Sequence, residues 1–565
     1  MPDNNTFDAI VVGSGISGGW AAKELTEKGL KVLLLERGKN IEHIKDYKNS
    51  TKEVWDFPHR NGITQKMKED HPVLKRDYPL RESMVDDNWS PWANDKDNPY
   101  TETKRFDWFR GYLVGGRSLL WGRQSYRLNK WDFEANAKEG IAVDWPVRYD
   151  DIAPWYSYVE KFAGIQGTKE GLEVLPDGEF LPGMEMNCVE KDVAAKLKDY
   201  YKGTRHMFIG RSANITQPKP EQNRVNCQYR NRCWYGCPFG AYFSSNSATL
   251  PVAMATGNLT LQADKIVTKV LYDKDKKKAT GVEVIDANDN KTYEYKAKII
   301  FLCASTFNST WILMNSATDI WPDGLGSSSG ELGHNVMDHH LKVGAEGTVE
   351  GFEDKYVFGK RPTGIYVPRF RNIYNDKRDY LRGFGYQGGA NRGRGIDIPE
   401  FTLGAELKEA LSEPGKWKMG IMGFGEILPD HSNKISLDKN KKDKWGLPVL
   451  AFDVEMKENE IKMRKDMAND AAEMLTNTGV KDVTTYDTGY AVGMGIHEMG
   501  TARMGRDSKT SVLNGNNQVW DATNVFVTDG AFMTSASCVN PSLSYMAFTA
   551  RAVDFAVKEL KKGNL

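Results

Sequence analysis

The fold is decided by residues 7–18, Phe-Asp-Ala-Ile-Val-Val-Gly-Ser-Gly-Ile-Ser-Gly. The first six residues are a short apolar run of the kind that forms a buried parallel strand. A Gly-x-Gly-x-x-Gly turn follows at Gly13–Gly18, then a predicted helix at Ala21–Lys28 and a second predicted strand at Lys31–Leu35. This βαβ arrangement predicts an α/β, Rossmann-like fold that binds a dinucleotide at the turn. The alternative is a chance glycine turn between two strands.

The residues of the turn have separate roles in holding a dinucleotide. Gly13 permits the tight turn, Gly15 lets the pyrophosphate approach the backbone, and Gly18 lets the helix pack on the strand. Ile16 and Ser17 lie within the same turn, and the N-terminus of the helix that follows attracts the phosphates. All five residues are therefore predicted to belong to the cofactor site.

Other predicted cofactor-site residues lie further along the chain. Glu36 follows the second strand directly, and its carboxylate is expected to accept hydrogen bonds from ribose hydroxyls, with Arg37 beside it. Val525-Phe-Val-Thr-Asp529-Gly530 is a late apolar strand that ends in Asp-Gly. A strand that returns so late to a fold begun at residue 7 is typical of flavoproteins, so FAD is favoured over NAD. Val267 and Ala304 complete this part of the site.

His497 and Asn540 are the candidate catalytic residues. Glycines surround His497, and a neutral imidazole can take a hydroxyl proton near neutral pH. Asn540 precedes Pro541 and Ser542, and because proline favours the first turn of a helix, a helix is predicted to begin there. The Asn540 amide can donate a hydrogen bond to a substrate oxygen. The alternatives are a structural histidine and a simple N-cap asparagine.

Composition excludes some classes of function. The 565 residues carry 76 Lys and Arg against 76 Asp and Glu, which gives no overall attraction to nucleic acid or an anionic membrane. No apolar run is long enough for a transmembrane helix. The N-terminus is polar and lacks the pattern of a signal peptide, so the chain is expected in the cytoplasm, or exported together with a partner that carries the signal.

Together, these motifs make the chain resemble the glucose–methanol–choline (GMC) oxidoreductases over nearly its whole length. The resemblance rests on five motifs: Gly13–Gly18 with Glu36, Gly115-Gly116-x-Ser118, His497-x-x-Gly-Thr-x-x-Met504, Asp529-Gly530, and Asn540-Pro541. It implies FAD as the cofactor and adds Gly115, Gly116, Ser118 and Leu119 to the cofactor site.

Asn540 and Trp121 are similar to the pyranose-oxidase and sugar-dehydrogenase branch of that family. This resemblance implies oxidation of a secondary alcohol of a sugar or glycoside to a keto sugar, with hydride transfer to flavin N5. His497 would accept the hydroxyl proton, and Asn540 would steady the developing alkoxide. A pyranose-type oxidase using O2 and a non-catalytic flavin electron-transfer subunit are the alternatives.

The attachment of the flavin is expected to differ from that of pyranose oxidases. Those enzymes carry a histidine joined covalently to FAD, and the corresponding position here is Leu120. No His or Cys occurs between residues 101 and 130. Non-covalent FAD is therefore predicted.

Three of the six cysteines, Cys227, Cys233 and Cys237, lie close together in sequence. Buried thiols, a disulfide and a three-thiolate zinc site are the alternatives from the residues alone. The spacing and the Cys-Pro-x-Gly-Ala sequence are similar to large subunits of flavin sugar dehydrogenases that bind a [3Fe–4S] cluster, which implies one thiolate for each iron. Such relatives work with a small subunit bearing the export signal and a cytochrome c, which would place this chain in the periplasm.

The predicted architecture is a Rossmann-like FAD-binding domain with an antiparallel-sheet (α+β) substrate-binding domain. The FAD-binding domain is discontinuous, at residues 1–40, 105–150, 225–335 and 490–565. Residues 41–104 are expected to form a loop-rich lid, and the substrate-binding domain takes residues 151–224 and 336–489. His339 and His340 are adjacent, and because neighbouring side chains of an extended segment point apart, a shared metal is disfavoured.

Overall fold

The computed structural model describes residues 5–77, 90–357, 359, 361–394, 402–489 and 491–565. Residues 78–89 of the predicted lid, and 395–401 and 490 further on, lie outside the described residues. The strands that the structure gives are β1 (Thr6–Val12), β2 (Val32–Leu35), β3 (Thr101–Glu102), β4 (Phe208–Ile209), β5 (Leu259–Gln262), β6 (Lys265–Asp273), β7 (Lys278–Asp286), β8 (Thr292–Leu302), β9 (Val343–Val349), β10 (Ile365–Val367), β11 (Phe384–Arg394), β12 (Pro414–Gly425), β13 (Lys434–Lys442), β14 (Pro448–Asp453), β15 (Lys481–Asp487), β16 (Gln518–Val519) and β17 (Ala522–Val527).

The helices are α1 (Ile16–Glu27), α2 (Gln65–Asp70), α3 (Pro72–Asp77), α4 (Lys130–Glu139), α5 (Tyr149–Ala163), α6 (Cys188–Tyr200), α7 (Leu250–Ala255), α8 (Thr306–Asn315), α9 (Gly404–Ser412), α10 (Glu458–Asn477) and α11 (Ser542–Lys561). None of the described helices is long and apolar enough to cross a membrane.

The larger sheet has the order β16-β17-β8-β1-β2-β5, and β6 and β7 extend it as a hairpin beside β8. The pairs from β17 to β5 are parallel, as the apolar sequences of β1 and β2 predict. Val12 pairs with both Leu35 and Leu302, and Leu302 pairs with Val527. The four strands therefore end at one edge, where ligands of such sheets bind.

Helix α1 is almost wholly buried and begins five residues before the predicted start at Ala21. The sequence did not indicate the first turn of this helix, because glycine, which occupies positions 18 and 19, is a poor helix former. The structure needs both of them: a Cβ on Gly18 would lie 1.8 Å from the Gly13 carbonyl oxygen, and one on Gly19 2.5 Å from Thr249 Oγ1. Close packing of the helix, rather than helix propensity, determines these residues.

The second sheet is antiparallel, with the order β15-β9-β12-β11-β10-β4. Helices α10 and α6 cover one of its faces and share a core with it, which includes Val193, Met467 and Ile421. The glycines of β12 allow α10 to approach closely, since a Cβ on Gly423 would lie 2.8 Å from Met467 Sδ. This sheet is the antiparallel unit that the sequence predicted.

Two parts of the predicted substrate-binding segments pack against the dinucleotide-binding unit. Helix α5 lies beside α11, with Tyr156 Oη 2.6 Å from Ser544 Oγ. Strand β14 pairs with β13 on one side and with β3 on the other, and Phe452 of β14 stacks on Phe106. The boundaries of the two domains stay predictions, and the packing divides residues 151–224 between both units.

The segment at 41–104 is more regular than predicted. Helix α2 begins after Thr64, whose side chain accepts a hydrogen bond from the backbone N–H of Met67. Helix α3 begins at Pro72, a residue well suited to the first turn of a helix. The two signals are short and local, and the charge-rich composition of the segment obscured them.

Candidate active site

One cavity of about 410 Å³ lies between the parallel edge and the antiparallel sheet. Residues from widely separated parts of the chain line it, from Val12 to Tyr545. Most of the predicted site residues face this cavity: Gly13, Gly15, Ile16, Ser17, Glu36, Arg37, Gly116, Ser118, Val267, Ala304, His497, Asp529, Gly530, Asn540, Pro541 and Ser542.

Three predicted cofactor residues do not line the cavity. Gly18 packs against the Gly13 carbonyl, as the helix-packing role requires. Gly115 has a φ of 95° and donates its backbone N–H to Ser14 Oγ, so it shapes the wall from behind. Leu119 is fully buried in a separate apolar cluster. The neighbouring Leu120 lines the cavity, and a contact of Leu119 with the cofactor stays a prediction.

Ser14, which the sequence analysis did not single out, connects the dinucleotide turn to the next strand. Glu36 Oε2 accepts hydrogen bonds from Ser14 N at 3.0 Å and Ser14 Oγ at 2.6 Å, and Oε1 accepts one from Gly38 N at 2.9 Å. Burial raises the pKa of Glu36. Three of about four acceptor positions are thus used within the protein, which leaves one for a ribose hydroxyl.

The geometry of the turn fits the pyrophosphate of FAD. A Cβ on Gly15 would meet no protein atom within 4 Å, so the space beside this residue belongs to the cavity. Gly15 is also the N-cap of α1, whose first N–H groups have no partner within the helix. The turn Gly13–Ser17 would hold the phosphates and Glu36 the ribose, while His497 and Asn540 line the wall of the same cavity.

The loop that carries His497 is fixed by a buried carboxylate. Asp338 Oδ2 accepts the backbone N–H of Gly493 at 2.8 Å and of Gly495 at 3.0 Å, and Oδ1 accepts that of His497 at 3.0 Å. Ile496 has a φ of 59°, which is strained for a β-branched residue. Strain of this kind persists only where the surroundings impose it, and Asp338 supplies that constraint.

Burial and the neighbouring Glu498 raise the pKa of Asp338 to about 7, against the opposing effect of the backbone N–H groups. Glu498 in turn forms a bidentate ion pair with Arg117, at 2.9 and 2.5 Å. Arg117 lies in the glycine loop that lines the opposite wall, so the pair joins that loop to the histidine loop. Neither partner was predicted as a site residue, because 381 positions separate them and no local sequence pattern indicates that they form an ion pair.

His497 and Asn540 meet at the cavity wall. Asn540 Nδ2 lies 3.4 Å from His497 Nε2. Gln387 of β11 donates from Nε2 to Asn540 Oδ1 at 2.6 Å, which turns the amide NH2 of Asn540 toward the histidine. Burial lowers the pKa of His497 well below its usual value, and His339 and Arg117 add to the shift. His497 is therefore neutral and able to accept a proton at physiological pH.

His339 lies behind His497. Its Nδ1 is 2.9 Å from His497 Nδ1, and its Nε2 is 2.8 Å from the carbonyl oxygen of Ser537. His340 points elsewhere, toward Arg464. The rings of the two adjacent histidines therefore point in different directions.

The antiparallel sheet contributes the other wall of the cavity. Gln387, Met422 and Phe424 line it, with the Phe424 ring 6.3 Å from the His497 ring. Trp121 lines the wall as well, and its Nε1 donates to the Phe243 carbonyl at 2.9 Å. A mixture of aromatic faces and amides suits a polar substrate that also has apolar surfaces.

The three clustered cysteines line a second cavity of about 30 Å³. Burial raises the pKa of Cys227 to about 11, and the Cys233 and Cys237 thiols reinforce the shift. Trp234, which follows Cys233 directly, lines the large cavity, so the two cavities are neighbours. Among the described residues, no three His, Cys, Asp or Glu side chains converge as they would around a single metal ion.

Two buried arginines flank these thiols. Arg123 has no hydrogen-bond partner for Nε and Nη1, and Arg224 has none for Nη2. Arg224 otherwise donates only to neutral oxygens, those of Gly240, Ala163 and Gln222. Buried cations are normally paired, so an anionic group suits this position.

An α/β dinucleotide site that shares one cavity with a neutral histidine and an asparagine defines a flavin-dependent alcohol oxidoreductase. Comparison with protein families agrees: the family described as GMC oxidoreductase matches residues 7–341 with its N-terminal part and residues 429–549 with its C-terminal part. The chain belongs to the GMC oxidoreductase family. It is an FAD-binding enzyme that acts on CH–OH groups.

Individual relatives cover nearly the whole chain. The 2-methyl-1,2-propanediol dehydrogenase of Mycolicibacterium austroafricanum is 28% identical over 97% of this chain and 94% of its own length. The fructose dehydrogenase large subunit of Gluconobacter japonicus is 25% identical over 98% of both. Among solved structures, pyridoxine 4-oxidase from Mesorbium loti has a TM-score of 0.59 at 16% identity, covering 98% of this chain and 99% of its own, which confirms the fold.

Proposed function

We propose that this protein is a dehydrogenase that oxidises a secondary hydroxyl of a sugar or glycoside to a ketone and passes the electrons to an external acceptor. The observation that carries the proposal is the 3.4 Å pair of His497 Nε2 and Asn540 Nδ2 on the cavity wall. When bound, FAD supplies the hydride acceptor for the carbinol C–H.

The protein's own residues handle the hydroxyl group. A hydroxyl placed between the two side chains would donate its proton to His497 Nε2 and accept a hydrogen bond from Asn540 Nδ2. As the proton leaves, Asn540 stabilises the negative charge that develops on the oxygen. Gln387 holds the Asn540 amide in the required orientation throughout.

A sugar is favoured as substrate by the walls of the cavity and by one relative. Trp121, Trp234 and Phe424 offer aromatic faces, and Gln124 and Gln387 offer amides. The relative named a fructose dehydrogenase large subunit matches over the full length. A small branched diol is the second candidate substrate, because the relative at 28% identity is named for one. Comparing kcat/KM for pyranoses, glycosides and branched diols decides between the two classes.

Replacing the histidine tests the proposed chemistry. We expect His497→Ala to slow substrate-driven loss of the flavin's visible absorbance, measured without oxygen, by about 10²–10⁴-fold. The exposed His431 makes His431→Ala a matched control that keeps the wild-type rate. Undiminished flavin reduction in His497→Ala would show that His497 is not the base, whereas a wild-type flavin that no alcohol reduces would identify an electron-transfer subunit. Peroxide formed in air at the rate of dye reduction would identify an oxidase.

We also propose that Cys227, Cys233 and Cys237 hold a [3Fe–4S] cluster that receives electrons from the flavin. Such a cluster takes one thiolate for each iron, so the three thiolates bind three different iron atoms and do not converge on a single ion. Buried Arg123 and Arg224 would offset the negative charge of the thiolates. Trp234, which follows Cys233 in the sequence, lines the large cavity.

Iron analysis and electron paramagnetic resonance of anaerobically purified protein test the cluster. We expect iron in the wild type and a loss of it in Cys233→Ser, with flavin reduction by substrate retained. Cys188→Ser is the control, since Cys188 begins α6 and lies outside the group. Wild-type protein that contains flavin but no iron would contradict the cluster and leave the alcohol chemistry standing.

We further propose that the electrons leave through a partner subunit and a cytochrome c, and that the partner carries the chain to the periplasm. The relative named as a large subunit supports the existence of a partner. We expect this chain to be found in the periplasmic fraction and to co-purify with a small subunit that is made with a signal peptide. A chain that purifies alone from the cytoplasm with full dye-reducing activity would contradict it.

A further inference from the structure

The hydrogen bonds around His339 assign the protons of both histidines. The carbonyl oxygen of Ser537 can only accept, so the His339 nitrogen 2.8 Å away, Nε2, carries a hydrogen. A neutral imidazole has a single N–H, so His339 Nδ1 has a lone pair. His497 Nδ1, 2.9 Å from it, must then be the donor, which leaves the lone pair of His497 on Nε2.

The opposite end of the chain of hydrogen bonds agrees with this assignment. Gln387 donates to the Asn540 oxygen, so Asn540 presents its NH2 group to His497 Nε2, where a lone pair is required. Reversing every donor would place hydrogens on both nitrogens of His339. That cation is disfavoured, because burial lowers the pKa of His339 to about 4.

The backbone holds the two imidazoles in this relation. Met337 and Met499 exchange backbone hydrogen bonds of 2.9 Å, so the segments that carry His339 and His497 run side by side. His339 is only 2% exposed, and its ring stands at 84° to that of His497 with the centroids 5.0 Å apart. A buried side chain with both ring nitrogens engaged has no freedom to change partners.

We propose that His339 is a positioning residue that keeps His497 in the tautomer with Nδ1 protonated and Nε2 free to accept the substrate's hydroxyl proton. The proposal rests on the base role of His497. A neutral acceptor behind the base directs its tautomer without adding negative charge, so His497 releases the proton more readily than it would with a carboxylate there. Without His339, the His497 hydrogen could lie on Nε2, in a form that cannot act as a base.

Two substitutions separate the hydrogen bonding of His339 from its packing. His339→Gln can accept from His497 through Oε1 and donate to Ser537 through Nε2. His339→Leu fills similar space and can do neither. We expect Leu to lower kcat by about 10²–10⁴-fold, the range for a base held in the wrong tautomer, with KM little changed. Gln restores kcat to within about tenfold of the wild type.

Nuclear magnetic resonance of protein labelled with ¹⁵N-histidine gives a readout that does not depend on turnover. Long-range ¹H–¹⁵N spectra identify which ring nitrogen of His497 carries the hydrogen. We expect Nδ1 in the wild type, in His339→Gln and in the control His340→Gln, and Nε2 in His339→Leu. His340 is a suitable control because it is buried next to His339 and its ring points toward Arg464.

The outcomes separate this proposal from the proposed function. A wild-type His497 that is protonated on Nε2, or a folded His339→Leu variant with wild-type kcat, overturns the positioning role of His339. In either case, an inactive His497→Ala variant still supports His497 as the base. Full flavin reduction in His497→Ala overturns the base role itself. If His339→Leu does not fold, His339→Gln decides: activity with Nδ1–H supports the role, and inactivity with Nδ1–H overturns it.

Discussion

Substitution of Gly15 by alanine tests whether the empty space beside the turn belongs to the cofactor. A Cβ at this position meets no protein atom within 4 Å, and φ is −67°, which any residue adopts. The protein alone therefore tolerates the methyl group. Gly18→Ala is the matched control, because its Cβ would lie 1.8 Å from a backbone oxygen that cannot move away.

The size of the expected effect follows from the packing. A methyl group forced against a bound pyrophosphate costs about 1–3 kcal/mol, the usual range for overpacking. That corresponds to a rise of roughly 5–150-fold in the Kd for FAD. Because Gly15 is the N-cap of α1 and alanine is a poorer cap, the free energy of unfolding of the FAD-free protein falls by no more than about 1 kcal/mol.

Titration of FAD into deflavinated protein, followed by quenching of flavin fluorescence, measures the Kd, and thermal unfolding without FAD measures the stability. We expect Gly15→Ala to weaken binding with little change in melting temperature, and Gly18→Ala to lower the melting temperature strongly. An unchanged Kd in Gly15→Ala would refute the placement of the pyrophosphate. So would a loss of stability equal to that of Gly18→Ala.

Two further substitutions test the supports of the catalytic pair. As the pH falls through about 7, Asp338 takes up a proton and one of its oxygens ceases to accept backbone N–H groups, so kcat/KM should decline in acid with an apparent pKa near 7. Asp338→Asn should lower kcat/KM about 10–100-fold and remove that decline. A pH profile of Asp338→Asn identical to that of the wild type would contradict the assignment. Gln387→Leu frees the Asn540 amide to rotate and should lower kcat/KM about 3–10-fold at unchanged melting temperature, and a variant as active as the wild type would show that Asn540 needs no such support.

Local signals made the parallel sheet predictable. β1, the glycine turn and β2 are adjacent in sequence, and each is determined by a short run of apolar residues or by a glycine that the turn requires. The same holds for α11, which begins beside Pro541 as expected. These elements need no information from distant parts of the chain, so a single sequence suffices to place them.

The partners of the catalytic pair were not predictable, because no local pattern marks them. His339 lies 158 positions from His497, and Gln387 lies 153 from Asn540. Alternation along β11 predicts that Gln387 and Tyr386 face opposite sides, but not what each side meets. Only the packing of the antiparallel sheet over the parallel edge brings Gln387 to the asparagine.

Leu119 shows a different limit. The Gly-Gly-x-Ser motif marks the loop that lines the cavity, yet the direction of each side chain depends on the one short 3₁₀ turn at Gly116–Leu119. Leu119 and Leu120 both pack in one apolar cluster, and Leu120 also lines the cavity. A motif thus located the loop, and the local winding of the backbone decided which leucine reaches the cavity.

The position of β17 has a consequence for biosynthesis. β17 pairs with β8, and the segment just after it carries Asp529 and Asn540. While the ribosome has yet to release β17, the nascent protein has a finished phosphate-binding turn but an open strand edge on β8, which invites pairing with other chains. The residues after β17 that line the cavity must therefore be synthesised before the flavin site is complete.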